Sequence, residues 1–215
     1  MKNKVKHILA LSLIKGVGAT FIKKNMSLIS SYIDNLEMLS NIGGKVTLEQ
    51  LNYNLDYAQS IITDCKENNI EIVSIIDPRY PNNLKEIKDP PPILYLKGNI
   101  RLLNKAIAII GTRKSSDLGN KIAEKVGEYF STNWSICNGL VDGIDKHSIY
   151  SNNKILPNVI GVLSGGLNYH NTSSKVTRDL SDLVLANNGV LISENEPNKK
   201  EDQFSGSKAS RIQAG

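Results

Sequence analysis

Nine residues, Ala106-Ile-Ala-Ile-Ile-Gly-Thr-Arg-Lys114, constrain this chain more than any other stretch. Five apolar residues in a row, too few for a helix and unbroken by polar side chains, read as a strand buried on both faces. Such strands belong to parallel sheets covered by helices. The run stops at a glycine followed by two cations. At the carboxyl end of a parallel strand, backbone N–H groups and the start of the next helix face the crevice where α/β sheets bind phosphate, and Arg113 and Lys114 add full positive charge there. The segment therefore predicts an anion pocket. Two cofactor motifs are excluded by spacing: Gly111 is followed next by Gly119 and not by Gly-x-x-Gly, and no Gly-Lys-Ser/Thr is present. The phosphate expected here need not belong to a cofactor, and none is expected.

From Ala106 onward the pattern alternates between strand and helix. Ala106 to Ile110 is followed by a helix from about Asp117 to Phe130 carrying Leu118, Ile122, Val126 and Phe130. Then come Trp134 to Cys137, Val159 to Leu163, a helix through Val176, Leu180 and Leu183, and Val190 to Ser193. This predicts a parallel sheet with helices on both faces, with Trp134 in the core. Before it, residues 1–68 read as helices, with Leu48, Leu51, Leu55, Ala58, Ile61 and Ile62 at helical spacing. Residues 69–105 form a lead-in containing strands at Ile70 to Ile76 and Ile93 to Leu96, the second entered through three prolines that fix extended backbone. The third region is 106–215. It ends in the first turns of another helix after only four clear strands, so the chain reads as cut at its C-terminus.

Within the helical front, Leu11-Ser-Leu-Ile-Lys-Gly-Val-Gly-Ala-Thr-Phe-Ile-Lys-Lys resembles a helix-hairpin-helix. There Gly16 and Gly18 would bring backbone close to a DNA phosphate, with Lys23 nearby as a second DNA contact. The same Gly-x-Gly spacing also serves as plain helix punctuation.

An excess of five positive charges favours polyanionic partners only mildly. Cys65 and Cys137 have neither disulfide-framework nor zinc-site spacing, which fits buried, reduced thiols. Lys2, Lys4 and Lys6 ahead of Ile8 to Ile14 imitate a secretion signal, yet Lys15 interrupts the run and no cleavage pattern follows. No window nears the roughly 20 apolar residues of a membrane span, so a soluble cytoplasmic protein is expected. His147 and His170 lack a nucleophile or metal partner at recognisable spacing. Ser164 misses the Gly-x-Ser-x-Gly elbow by one residue, and no carboxylate or Cys/His set points to a metal.

Each strand after Ala106 ends in glycine or small polar residues: Gly111-Thr-Arg-Lys, Asn138-Gly-Leu-Val-Asp-Gly-Ile-Asp, Ser164-Gly-Gly-Leu-Asn-Tyr and Ser193-Glu. In a parallel sheet these loops gather on one edge. Asp145 cannot bind phosphate, so its expected work is to accept N–H bonds from its own loop or to cap a helix.

The order of these motifs, from Asp89-Pro-Pro-Pro through Ile-Gly-Thr-Arg, Asn-Gly-Leu-x-x-Gly-Ile-Asp, Leu-x-Gly-Gly-Leu-x-Tyr and Leu-Ile-Ser-Glu to Arg211-Ile-x-Ala-Gly, resembles the bacterial DNA-processing protein A family (DprA, also called Smf) over roughly residues 78–215. The resemblance implies an extended Rossmann-like parallel sheet preceded by a small helical, helix-hairpin-helix or SAM-like, domain. It implies a nonenzymatic protein that binds single-stranded DNA and helps load RecA in natural transformation, with homodimer formation. Carried over position by position, Gly111, Thr112 and Arg113 with Lys114 form the phosphate loop. Gly139 and Gly143 form a second loop, with Asp145 beside them, Gly165 and Gly166 a third, and Arg211 stands for the last arginine of an Arg-Asn-Arg helix. The chain departs from that pattern at Ala209-Ser210, at Lys146-His147, at Tyr169-His170 and at Asn138.

Two other readings remain. A nucleotide phosphoribohydrolase would share a related sheet, but Ser164-Gly-Gly-Leu-Asn-Tyr-His lacks the Gly-Thr and the following glutamate that such an enzyme needs. A degenerate copy of the family would keep the fold with little activity.

Overall fold

The computed structural model describes residues 2–202 and 204–215. It divides into two compact units, one running to Leu94 and one spanning Tyr95–Ala214.

The first unit is helical, with one strand. It contains α1 (Lys2–Ser12), α2 (Ala19–Lys24), α3 (Met26–Tyr32), α4 (Leu36–Ser40), α5 (Leu48–Glu67), β1 (Glu71–Ser74) and α6 (Asn82–Glu86). Helix α5 starts at a reciprocal cap in which the Thr47 hydroxyl accepts from Gln50 N–H and the Gln50 side chain accepts from Thr47 N–H. Two orphan donors of the helix end are thereby satisfied. Its inner stripe, Leu51, Ala58, Ile61 and Cys65, is buried and packs on α1. Gly16, at φ +87°, and Gly18 form the turn between α1 and α2.

The second unit holds β2 (Ile93–Gly98, entered from the first unit), β3 (Ala106–Ala108), α7 (Asp117–Ser131), β4 (Ser135–Asn138), α8 (Ile144–Ser148), β5 (Tyr150–Ser151), β6 (Lys154–Ile155), β7 (Val159–Val162), α9 (Tyr169–Thr172), α10 (Lys175–Ala186), β8 (Val190–Ser193) and α11 (Ser205–Ala214). Its main strands lie in the order β2-β8-β7-β4-β3. The pairs β3/β4, β4/β7 and β7/β8 are parallel, as the alternation of strand and helix requires. Strand β2 joins antiparallel, with Tyr95 opposite Ser193, and so widens the sheet beyond the four strands read from the alternating region. Strands β4, β7 and β8 are buried along their whole length. A small hairpin, β5/β6, turns at Asn152 and Asn153, both at positive φ, the conformation of a two-residue primed turn.

Three expectations are corrected. The strand starting at Ala106 is not buried on both faces: β3 is the last strand at one edge of the sheet, so Ala106 and Ala108 are exposed and Ile110, just beyond it, is 52% exposed. Leu118, Ile122 and Val126 do not face the core: they are 68%, 53% and 36% exposed, and the buried stripe of α7 is Ala123, Gly127 and Ser131. Small residues win that face because α8 approaches closely. A Cβ on Gly127 would stand 1.8 Å from the Ser148 carbonyl oxygen. Trp134 is 38% exposed instead of buried, and its ring lies 4.5 Å beneath the Lys105 ammonium. Cys65 and Cys137 are both buried and form no disulfide, and burial pushes the Cys137 thiol up to about 12. Among the described residues no helix is long and apolar enough to cross a membrane.

In the first unit, Asp77 receives the Arg79 guanidinium through Nε at 3.1 Å and Nη2 at 2.9 Å, and also the Arg79 backbone N–H. These bonds outweigh burial and hold its carboxyl below the ordinary value of 3.8. A depressed carboxyl contributes stability that is present above the unfolded value and is lost as pH falls through the folded one. Asp77→Asn is therefore expected to lower unfolding free energy by about 1 kcal/mol near neutrality. The deficit should vanish well below pH 3.8, where Asp77 is itself neutral. Urea unfolding of both proteins across that range checks the convergence, and a deficit independent of pH contradicts it.

Candidate functional site

The sequence predicts that the strand ends converge, and Asp145 is where two of them meet. It is 4% exposed, and its two carboxylate oxygens accept from different loops: Oδ1 from Gly111 N–H at 3.2 Å, after β3, and Oδ2 from Gly139 N–H at 2.9 Å, after β4. Burial raises its carboxyl above the ordinary range, while the two glycine N–H groups and the nearby charge of Arg113 pull it back. Asp145 thus accepts from its own loop, as expected, and also from the phosphate loop. The amides of Gly111 and Gly139 donate to this built-in anion.

Asn138, fully buried, holds α8 in place for this. Its Nδ2 donates to the Asp145 carbonyl and the Ser148 hydroxyl, and its Oδ1 accepts from Leu140 N–H. Gly143 closes the arrangement. Its φ is +82°, and a Cβ there would lie 2.1 Å from the Thr112 carbonyl oxygen and 2.9 Å from Arg113 Cα. The Thr112 carbonyl in turn accepts from Ile144 N–H. The first two loops are therefore pressed together backbone to backbone, with Thr112, Arg113 and Lys114 exposed beyond them. The Thr112 hydroxyl accepts from Lys114 N–H, which curls the loop, and Ser116 caps α7 by accepting from Gly119 N–H.

The third loop engages a different partner. Gly166 N–H donates to the Lys199 carbonyl, its own carbonyl accepts from Thr172, and the Gly165 carbonyl accepts from Ser193. A Cβ on Gly166 would come within 2.0 Å of the Glu196 carbonyl oxygen. These glycines seat the segment that follows β8. The same segment carries Glu201, whose carboxyl is raised by desolvation and lowered by the Arg113 charge. Residues 196–201 thus join the paired glycines to the neighbourhood of Arg113.

Arg211 is placed on α11, which packs against β7. Its guanidinium forks onto Glu194 at the end of β8, with Nη1 to Oε1 at 3.0 Å and Nη2 to Oε2 at 2.6 Å, and Nη1 also donates to the Lys208 carbonyl. Both side chains are mostly buried, at 22% and 14% exposure. Sequence reasoning did not find this pair, because no periodicity links positions 17 apart across a loop and a helix. In the first unit, Lys23 Nζ donates to the Glu86 and Ile87 carbonyls, at 3.1 and 2.6 Å, and so caps the end of α6. His170 lies beside Asp182, with Nε2 3.2 Å from Oδ1. Among the described residues no group of His, Cys, Asp and Glu could hold a metal ion.

The model of the family "DNA recombination-mediator protein A" matches residues 71–215, which takes in every strand-end loop just described. The chain belongs to that family. The DNA processing protein DprA of Bacillus subtilis (strain 168) is 31% identical over 158 residues, covering 72% of this chain and 52% of that protein. The X-ray structure of DprA from Streptococcus pneumoniae superposes with a TM-score of 0.74 at 24% identity, covering the whole of this chain and 75% of that one. A DprA structure from Helicobacter pylori, described for its single-stranded DNA binding mode, superposes at 0.51 and 24% identity over 66% of this chain and 63% of that one. The fold of this family member is thus the DprA fold, and the chain spans about half the length of the curated relatives it matches.

Gly143→Ala combines a disfavoured φ with a backbone clash, and it is expected to cost about 1–3 kcal/mol of stability. Gly206→Ala is the control, since Gly206 is an exposed position of α11 with nothing within 4 Å of its Cβ, and it is expected to stabilise by about 0.5–1 kcal/mol. Chemical denaturation of the two variants against the parent protein measures the contrast.

Proposed function

We propose that this family member binds single-stranded DNA through its sugar-phosphate backbone at the exposed rim Thr112-Arg113-Lys114 and performs no chemistry on it. The observation that carries the proposal is the division of labour in the phosphate loop. Its glycine amide, that of Gly111, is committed inward to Asp145, while its two cations are exposed beside it. A planar guanidinium suits the paired oxygens of a phosphate, and a lysine adds a mobile point charge. Gly139, Gly143, Gly165 and Gly166 serve in this reading by letting the loops approach closely enough to present that rim.

Family membership supports DNA as the polymer, and the description of the H. pylori relative supports the single-stranded form. Action in DNA recombination and natural transformation, in the cytoplasm, with RecA as recipient and two copies acting together, belongs to the same proposal. The turn at Gly16 and Gly18, with open space around both glycines, is its second DNA contact. Lys23 would take part there from its place at the end of α6. A binding role without catalysis is supported by Glu194, the carboxylate nearest a strand end in sequence. Both its oxygens are engaged by Arg211 and are not poised to take a proton from water.

Binding of this kind releases counterions, so log Kobs falls with log salt by about 0.7 for each phosphate neutralised on a single strand. Arg113→Ala is expected to weaken binding of a fluorescent dT oligonucleotide by roughly tenfold at low salt and to flatten that slope by about one such increment. Unchanged affinity and slope remove the rim from the mechanism. Incubation with nucleoside monophosphates is expected to release no free base, and turnover would favour the hydrolase reading.

A further inference from the structure

The surroundings of Arg211 differ from those of the other basic residues at the crevice. Arg113 and Lys114 are exposed. Arg211 is mostly buried, and both of its terminal nitrogens already donate to one carboxylate in a forked geometry. A phosphate would have to displace Glu194 from both nitrogens and leave that carboxylate buried and unpaired, which strongly opposes the exchange. What the fork does instead is visible on both sides of it. Glu194 belongs to the end of β8, next to Ser193, whose hydroxyl reaches the Gly165 carbonyl. Arg211 belongs to the last turn of α11, and two residues on Gln213 Nε2 lies 3.1 Å from where a Cβ on Gly139 would be. The ion pair therefore ties the helix to the strand end that seats the third loop, and it places Gln213 against the second.

We propose that Glu194 is a positioning residue that acts through Arg211 to hold α11 as the wall of the crevice, and that Arg211 serves DNA binding as a strut and not as a phosphate ligand. This rests on the binding role proposed above and deepens it, by separating the residues that meet phosphate from those that hold them in place.

The proposal is tested on the full chain with Glu194→Gln, Arg211→Lys and the double exchange Glu194→Arg/Arg211→Glu, using two readouts. The first is amide hydrogen exchange across 205–214. The second is affinity for a dT oligonucleotide as a function of salt. Both single variants are expected to speed exchange in α11 by about tenfold and to weaken DNA binding without altering the salt slope. The double exchange, which restores an ion pair with its charges reversed, is expected to recover both properties at least in part. A phosphate ligand at position 211 predicts the opposite: a flatter slope in the double exchange and no recovery, with Glu194→Gln binding DNA more tightly than the parent. Either that pattern or unchanged exchange in α11 overturns the proposal. If the parent chain fails to bind the oligonucleotide, the binding role falls, while hydrogen exchange still decides whether the strut exists.

Discussion

The buried carboxylate of Asp145 is the point on which the crevice depends. It accepts one N–H from the loop after β3 and one from the loop after β4, so two strand ends that the chain reaches 28 residues apart (Gly111 and Gly139) are fixed by one side chain. Desolvation works against the charge of that carboxylate, and the hydrogen bonds and Arg113 work for it. The balance explains why Asn138 below it is so completely bonded: a buried acceptor of this kind holds its geometry only if every polar group around it is satisfied.

That arrangement changes what an anion pocket means in this fold. Glycine-rich strand ends usually serve as sources of free N–H groups for phosphate. Here the amides of Gly111, Gly139 and Gly166 donate to Asp145 and to the Lys199 carbonyl, and the glycines act by having no Cβ. Positive charge for a ligand then comes from the side chains just beyond, Arg113 and Lys114. Of the carboxylates around the strand ends, Glu194 pairs with Arg211, and Asp145 and Glu201 feel the charge of Arg113. The strand ends thus hold one buried ion pair, Arg211 with Glu194, and two exposed cations, Arg113 and Lys114, at their rim.

Close approach also accounts for the misread helix. A chain reader following hydrophobicity assigns Leu118, Ile122 and Val126 to the core, because a helix usually buries its apolar stripe. In α7 the stripe of Ala123, Gly127 and Ser131 is buried instead, since the backbone of α8 must come near enough for the second loop to reach the first. The requirement belongs to α8 and to the crevice, and nothing within the α7 sequence expresses it.

What the sequence determined by itself was the architecture and the place of the site. Unbroken apolar strands, helices between them and glycines at each strand end specify a parallel sheet with one functional edge, although only β4, β7 and β8 are buried throughout, and that β3 lies exposed at the sheet's edge was decided by strand order. The order of those motifs also carried the family. Which groups at that edge are available was decided only in three dimensions. Whether a glycine amide, an arginine or a lysine faces a ligand depends on which acceptor folds against it, and the acceptors of Gly111, Gly166, Arg211 and Lys23 all come from other elements of the chain. Charge pairing between residues distant in sequence has no periodic signature, so Glu194 and Arg211 could meet only once β8 and α11 had been packed together.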